Sequence, residues 1–153
     1  MTQLIAEGAL APEHAPAKLK QYIKIARLDH WIKNMFMLPG VALAIFFSPS
    51  QIWDLFSVVL MGVLSTCLAS SANYAINEYL DVEFDRFHPL KKNRTGVVFL
   101  LDYRIVILEY LLLALGTLAL AYFIGRMFLL TVLALLVMGL LYNVPPVRLK
   151  DRV

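Results

Sequence analysis

Four stretches of this chain are too long and too apolar to sit on the surface of a soluble protein, and they decide the fold class. A helix needs about 20 mostly apolar residues to cross the hydrocarbon core of a bilayer. Stretches at about 28–48, 52–79, 103–124 and 127–142 meet or approach that length. Pro49, Gly125 and the Pro145-Pro146 pair punctuate their ends. Little remains to cover such a surface, because 60% of the 153 residues are hydrophobic and only 16% are charged. A soluble domain carries about 25% charged residues. The expected fold is therefore all-α, a polytopic transmembrane helical bundle of about four membrane helices. Pro39-Gly40 inside the first stretch predicts a kink there. Residues 1–20 lack the continuous apolar segment of a signal peptide and read as a disordered N-terminal tail ahead of a membrane unit over 21–153.

Charge placement supports the count independently. Thirteen of the fourteen Lys and Arg residues fall before or at the start of the first stretch, around the loop between the second and third, or after the fourth. Only Arg126 falls on the other side. The positive-inside rule then makes the chain a multi-pass integral membrane protein with both termini and the long middle loop in the cytoplasm. Topology accounts for the net charge of +3, so no nucleic-acid partner is expected. Gly62, Ser65, Ala69 and Ala72 read as small residues for close helix packing, and the lone Cys67 as a small apolar one. His30 and Trp31 read as an interfacial belt.

The second stretch carries more than hydrophobicity. Asn73, Asn77, Asp81 and Asp85 recur every fourth residue, which places them on one helical face. Glu78 lies one position round, and Glu83 points elsewhere. Carboxylates and amides facing lipid are costly, so the stripe must meet a cavity, a partner helix or the aqueous boundary. Magnesium is commonly held by one or two carboxylates together with substrate phosphates. Arg86, Lys91, Lys92 and Arg94 follow at once and can offset the charge of a departing diphosphate. The same residues have a plainer reading, as a solvated helix end and cations against anionic lipid heads. There is no Cys/His metal spacing and no Gly-rich phosphate loop.

Three landmarks then coincide. Asn77 to Arg86 fits the N-x-x-x-D-x-x-x-D pattern, and the chain thereby resembles the UbiA superfamily of intramembrane prenyltransferases. Residues 22–34, YIKIARLDHWIKN, look like that family's lead-in to its first helix. Residues 142–150, YNVPPVRLK, look like its loop after the fourth. Residues 85–94, DRFHPLKKNR, are similar to the D-R-x-H-P-x-K-x-x-R pattern of polyprenyl-phosphate phosphoribosyltransferases. The resemblance implies half of a nine-helix fold. It implies transfer of a prenyl or phosphoribosyl group from a diphosphate donor to a lipid-phosphate or aromatic acceptor, with magnesium (Mg2+) as cofactor. Asp81 and Asp85 would be metal ligands and, with Asn77, the catalytic set. Arg86, Lys91, Arg94, Tyr142, Arg148, Lys150, Lys33 and Asn34 would bind substrate.

Departures from the pattern also matter. Glu78 stands where the family often has Asp, Asn143 where Ser is common, and Thr95-Gly96-Val97 where Arg is usually followed by Pro. The family's second aspartate motif lies in a C-terminal half, so a second chain or a further half is expected as partner. A non-catalytic membrane subunit and, less readily, a small transporter subunit are the alternative readings.

Overall fold

The computed structural model describes residues 15–47 and 52–151. Residues 1–14, the greater part of the expected tail, and Pro49 lie outside the described residues. Among the described residues, four helical segments are long and apolar enough to cross a membrane: Leu19–Phe47, Leu55–Leu80, Tyr103–Ile124 and Arg126–Asn143.

The chain enters through a short parallel pairing of β1 (Ala15–Pro16) with β2 (Phe99–Leu100). Helix α1 (Leu19–Ile25) follows, started by a hydrogen bond from the Lys18 amide to Gln21 Oε1 at 3.0 Å. Residues 15–20, which composition marks as the end of a tail, are thus held by backbone pairing and capping. Arg27 breaks the helix with a left-handed backbone, φ 50°. The chain resumes through a 3-10 turn at Leu28–His30, α2 (Trp31–Asn34), a second 3-10 turn at Met35–Met37 and α3 (Leu38–Phe47). The irregularity comes one turn before the expected kink at Pro39-Gly40. A proline ring clashes with the carbonyl four residues back, here Met35, and its missing N–H is harmless in a first turn. Pro39 accordingly sits in the first turn of α3.

Helix α4 (Ile52–Leu80) is the spine of the bundle. It packs along α7 (Tyr103–Ile124), and against α8 (Arg126–Asn143), α1 and α2. In lipid no hydrophobic drive pulls helices together, so association relies on close backbone approach and interhelical hydrogen bonds. Both are present. Ala69 and Ala72 of α4 are buried against Ala114 and Leu136. Ser65 Oγ donates to the Thr117 carbonyl at 3.0 Å, and Thr117 Oγ1 to the Ser65 carbonyl at 3.3 Å. At the other end Tyr22, Ile25, Ala75, Leu101 and Val106 form a second cluster. Outward positions such as Phe36, Leu112, Leu115 and Phe123 are apolar and exposed, as a lipid-facing shell requires.

The opposite flank of α4 meets α1 and α2 through polar contacts at successive turns. Arg27 pairs with Glu78, and the His30 ring meets Tyr74 edge-on at 5.2 Å. Trp31 Nε1 donates to Ser71 Oγ at 2.8 Å, and Asn34 Nδ2 to Cys67 Sγ at 3.4 Å. His30 and Trp31 therefore face α4. Between α7 and α8 a single residue, Gly125 with φ 140°, reverses the chain, and that backbone region admits few residues other than glycine.

Asn73 faces α8, where Gly139 leaves it room. A Cβ on Gly139 would overlap the Asn73 carboxamide. Gly139→Ala should therefore destabilise the bundle by about 1–3 kcal/mol, the usual cost of overpacking. Its unfolding midpoint in detergent, compared with that of Asn73→Ala/Gly139→Ala, checks this: the double variant should recover much of the loss.

Candidate functional site: a carboxylate pair held by two loops

The polar stripe survives the end of α4. Asp81 follows Leu80 and precedes α5 (Val82–Asp85), yet helical hydrogen bonds run through it. The Asp81 amide donates to the Asn77 carbonyl at 3.0 Å and the Asp85 amide to the Asp81 carbonyl at 2.8 Å. Asn77, Asp81 and Asp85 therefore stay on one face and line a cleft of about 440 Å³.

Each carboxylate is neutralised by its own loop. Asp81 Oδ1 accepts from Arg148 Nη2 at 3.1 Å and closely from Lys150 Nζ, both on the segment after α8. Lys150 Nζ also donates to Asn77 Oδ1 at 3.1 Å and Asn143 Oδ1 at 3.0 Å. All three of its donors are thus directed at oxygens. Asn143 is buried, and its amide donates to the Gly139 carbonyl at 2.9 Å. Arg148 adopts a positive φ of 30° and lies 4.2 Å above the Phe84 ring. Asp85 is buried and pairs closely with Arg94, with Lys91 Nζ at 3.5 Å, both from the loop between α5 and α6 (Thr95–Val98).

Four cationic side chains, Lys91, Arg94, Arg148 and Lys150, line the cleft against two carboxylates, and Tyr142 completes the wall. The lining therefore has an excess of two positive charges, which suits a multiply charged anion. Among the described residues no three His, Cys, Asp or Glu side chains converge as a ready-made metal centre. The donors that are present fit magnesium in another way. Asp81, Asp85 and Asn77 Oδ1 offer hard oxygen donors, and magnesium bound through one or two carboxylates takes its remaining ligands from phosphate and water.

Several residues expected from sequence lie elsewhere. Arg86 lines a different cleft of about 390 Å³ with Tyr79, Glu83 and Gly96. It follows Asp85 directly, and a step of one residue turns a helical side chain well away from the stripe. Asn34 is spent on Cys67 and on Ser70 Oγ, which donates to it at 3.5 Å. Lys33 is exposed and does not line the cleft. Asn73 sits deeper, with Nδ2 3.5 Å from the Leu135 carbonyl. Asn143 joins the site as a residue that its sequence pattern does not single out. Its signal is its place beside Tyr142, at the head of the segment that carries Arg148 and Lys150.

The model of the UbiA prenyltransferase family matches residues 35–153, which includes the stripe and both cationic loops. The chain belongs to the UbiA prenyltransferase family. Over 80 residues it is 38% identical to a decaprenyl-phosphate phosphoribosyltransferase of Mycolicibacterium smegmatis. That match covers 50% of this chain and 25% of the relative, so the matched part spans about a quarter of that protein's length. No solved structure matches it. A UbiA-family chain with four membrane-length helices is an integral membrane protein.

The Asp81–Lys150 pair can be tested without substrate. Both side chains are about an eighth exposed, at 13% and 12%. Asp81→Asn and Lys150→Met should couple by about 0.5–3 kcal/mol in a double-mutant cycle of reversible unfolding in detergent. Additive losses would show that the pair carries no stability.

Proposed function

We propose that this chain provides the donor-diphosphate site of a magnesium-dependent transferase acting within the membrane. The transferred group is phosphoribosyl in preference to prenyl, and the acceptor a lipid phosphate in preference to an aromatic ring. The observation that supports the reading best is the cleft itself: two carboxylates four residues apart, an amide beside them, and four cations closing over them from two loops. The preference for phosphoribosyl rests on the 85–94 pattern and on the named activity of the relative. In this reading residues 21–153 form the N-terminal half of a UbiA-like unit. A further half or a second chain supplies carboxylates facing Asp81 and Asp85. The basic end, with the cleft, faces the cytoplasm.

The chain's own residues divide the work. Asp81 and Asp85 would hold magnesium, and Asn77 would orient Asp81 or a phosphate oxygen. When bound, the metal supplies Lewis-acid stabilisation of the leaving diphosphate. Lys150, Arg148, Lys91 and Arg94 now contact the carboxylates. On binding they transfer their hydrogen bonds to phosphate oxygens, where charge develops as the bond to the anomeric carbon breaks. The electron pair of that bond leaves with diphosphate, and an oxygen of the lipid phosphate forms the new bond. Tyr142, at the cleft wall, limits where the donor can sit.

The test is diphosphate release by the protein in nanodiscs. Phosphoribosyl diphosphate and polyprenyl phosphate are added with magnesium, alongside whatever adjoining half or chain completes the unit. Asp81→Asn and Asp85→Asn should each cut turnover about a hundred-fold or more, and chelation of magnesium should do the same while the fold persists. A prenyl diphosphate that replaces phosphoribosyl diphosphate at equal rate would shift the donor assignment. Unchanged turnover in Asp81→Asn would end the reading. Binding of magnesium and diphosphate without turnover in any assembly would favour the non-catalytic subunit.

A further inference from the structure

Glu78 is next to Asn77 in sequence but does not line the carboxylate cleft. Its side chain is buried, at 4% exposure, among partners from two other segments. Arg27 donates to Oε2 through both Nε at 3.2 Å and Nη2 at 2.9 Å. The Gly96 amide donates to Oε1 at 3.3 Å. Both oxygens are therefore engaged, and a buried carboxylate requires such partners.

The contact with Gly96 is close enough that a side chain there would be crowded. A Cβ there would lie 3.1 Å from the Glu78 carbonyl oxygen and 3.1 Å from Val82 Cγ2. Gly96 is two residues beyond Arg94, and the Val97 and Val98 amides both donate to the Arg94 carbonyl at 3.0 Å. The backbone of Arg94 is thus fixed to α6, and α6 to Glu78. Arg94 in turn is the residue paired closely with Asp85. Its side chain lines both the carboxylate cleft and a smaller one of about 180 Å³ that includes Arg27 and Glu78.

We propose that Glu78 is a positioning residue that sets how Arg94 meets a diphosphate, acting through the Gly96 amide and anchored by Arg27. The assignment rests on the diphosphate reading above. It gives the acidic residue after Asn77 a task other than holding metal: it fastens the basic loop to α4 at the height where Arg94 reaches Asp85. The break after α1, through Arg27, thereby takes part in shaping a site it does not line.

The experiment is binding of inorganic diphosphate in the presence of magnesium to the full chain in detergent, measured by titration calorimetry. Glu78→Ala and Arg94→Ala should each weaken binding about tenfold, the scale for a residue that orients a ligand-binding one. The double variant should bind no worse than Arg94→Ala alone. Combined with Arg148→Ala, on the other loop, the Glu78→Ala loss should multiply instead. A merely structural Glu78 would multiply with both arginine variants, and that result would overturn the proposal. If Glu78→Ala fails to fold, Glu78→Gln keeps an acceptor for Gly96 but removes the charge facing Arg27, and the same pair of cycles applies. Amide hydrogen exchange over residues 94–98 gives a readout independent of ligand. It should quicken in either Glu78 variant, and unchanged exchange would overturn the latch. If the wild-type chain fails to bind diphosphate both by itself and with the half or chain that completes the unit, the functional reading falls, and exchange alone decides whether Glu78 holds the loop.

Discussion

An ionised carboxylate at the end of a membrane helix cannot be left without a partner, and this chain has two on one face. Burying a charge without compensation costs several kcal/mol, and lipid offers no compensation. The arrangement around α4 answers that demand locally. Asp81 receives Arg148 and Lys150; Asp85 receives Arg94 and Lys91. The two connecting segments owe their courses to this neutralisation. The loop after α5 folds back over Asp85, and the segment after α8 folds across Asp81 and Asn77. A ligand that brings its own cation and its own negative charge can enter by exchanging partners, because both the acids and the bases of the cleft stay satisfied.

The spine helix separates its tasks by face. One flank carries small residues and reciprocal Ser65–Thr117 hydrogen bonds that let α7 approach. Another carries a side chain at each turn for α1 and α2, from Cys67 through Ser71 and Tyr74 to Glu78. The stripe from Asn77 onward forms the cleft. Helical geometry makes this division possible, since a shift of one residue turns a side chain by about 100°. Asn77 and Glu78 thus serve different neighbours although they are adjacent in sequence.

Hydrophobic length and charge asymmetry make the bundle legible in the amino-acid sequence, and the ends of α7 at Tyr103 and Ile124 coincide with the apolar stretch expected there. The four-residue period likewise places Asn77, Asp81 and Asp85 together, because helical periodicity is local. Partners brought in from far along the chain are harder to read. Nothing near Asn34 signals that Cys67 and Ser70 claim it, and nothing near Asp81 announces Arg148 and Lys150 as its partners. Composition groups Arg86 with Lys91 and Arg94, whereas direction, set by its position immediately after Asp85, sends it to another cleft. The boundary of the tail is obscured for a related reason. Ala15-Pro16 has no local drive to order and is held by Phe99-Leu100, more than eighty residues away.

The single-residue reversal at Gly125 bears on how the bundle enters the membrane. Helices α7 and α8 leave only Gly125 between them, with Arg126 as the first residue of the second. In the orientation proposed above, a hairpin of this kind carries one charge and almost no polar backbone to the far side of the bilayer. Translocating a long hydrophilic loop between α7 and α8 is therefore not part of its biogenesis. With the basic end facing the cytoplasm, as proposed, the loops that bear the cleft never have to cross and can fold onto α4 on the side where they were made.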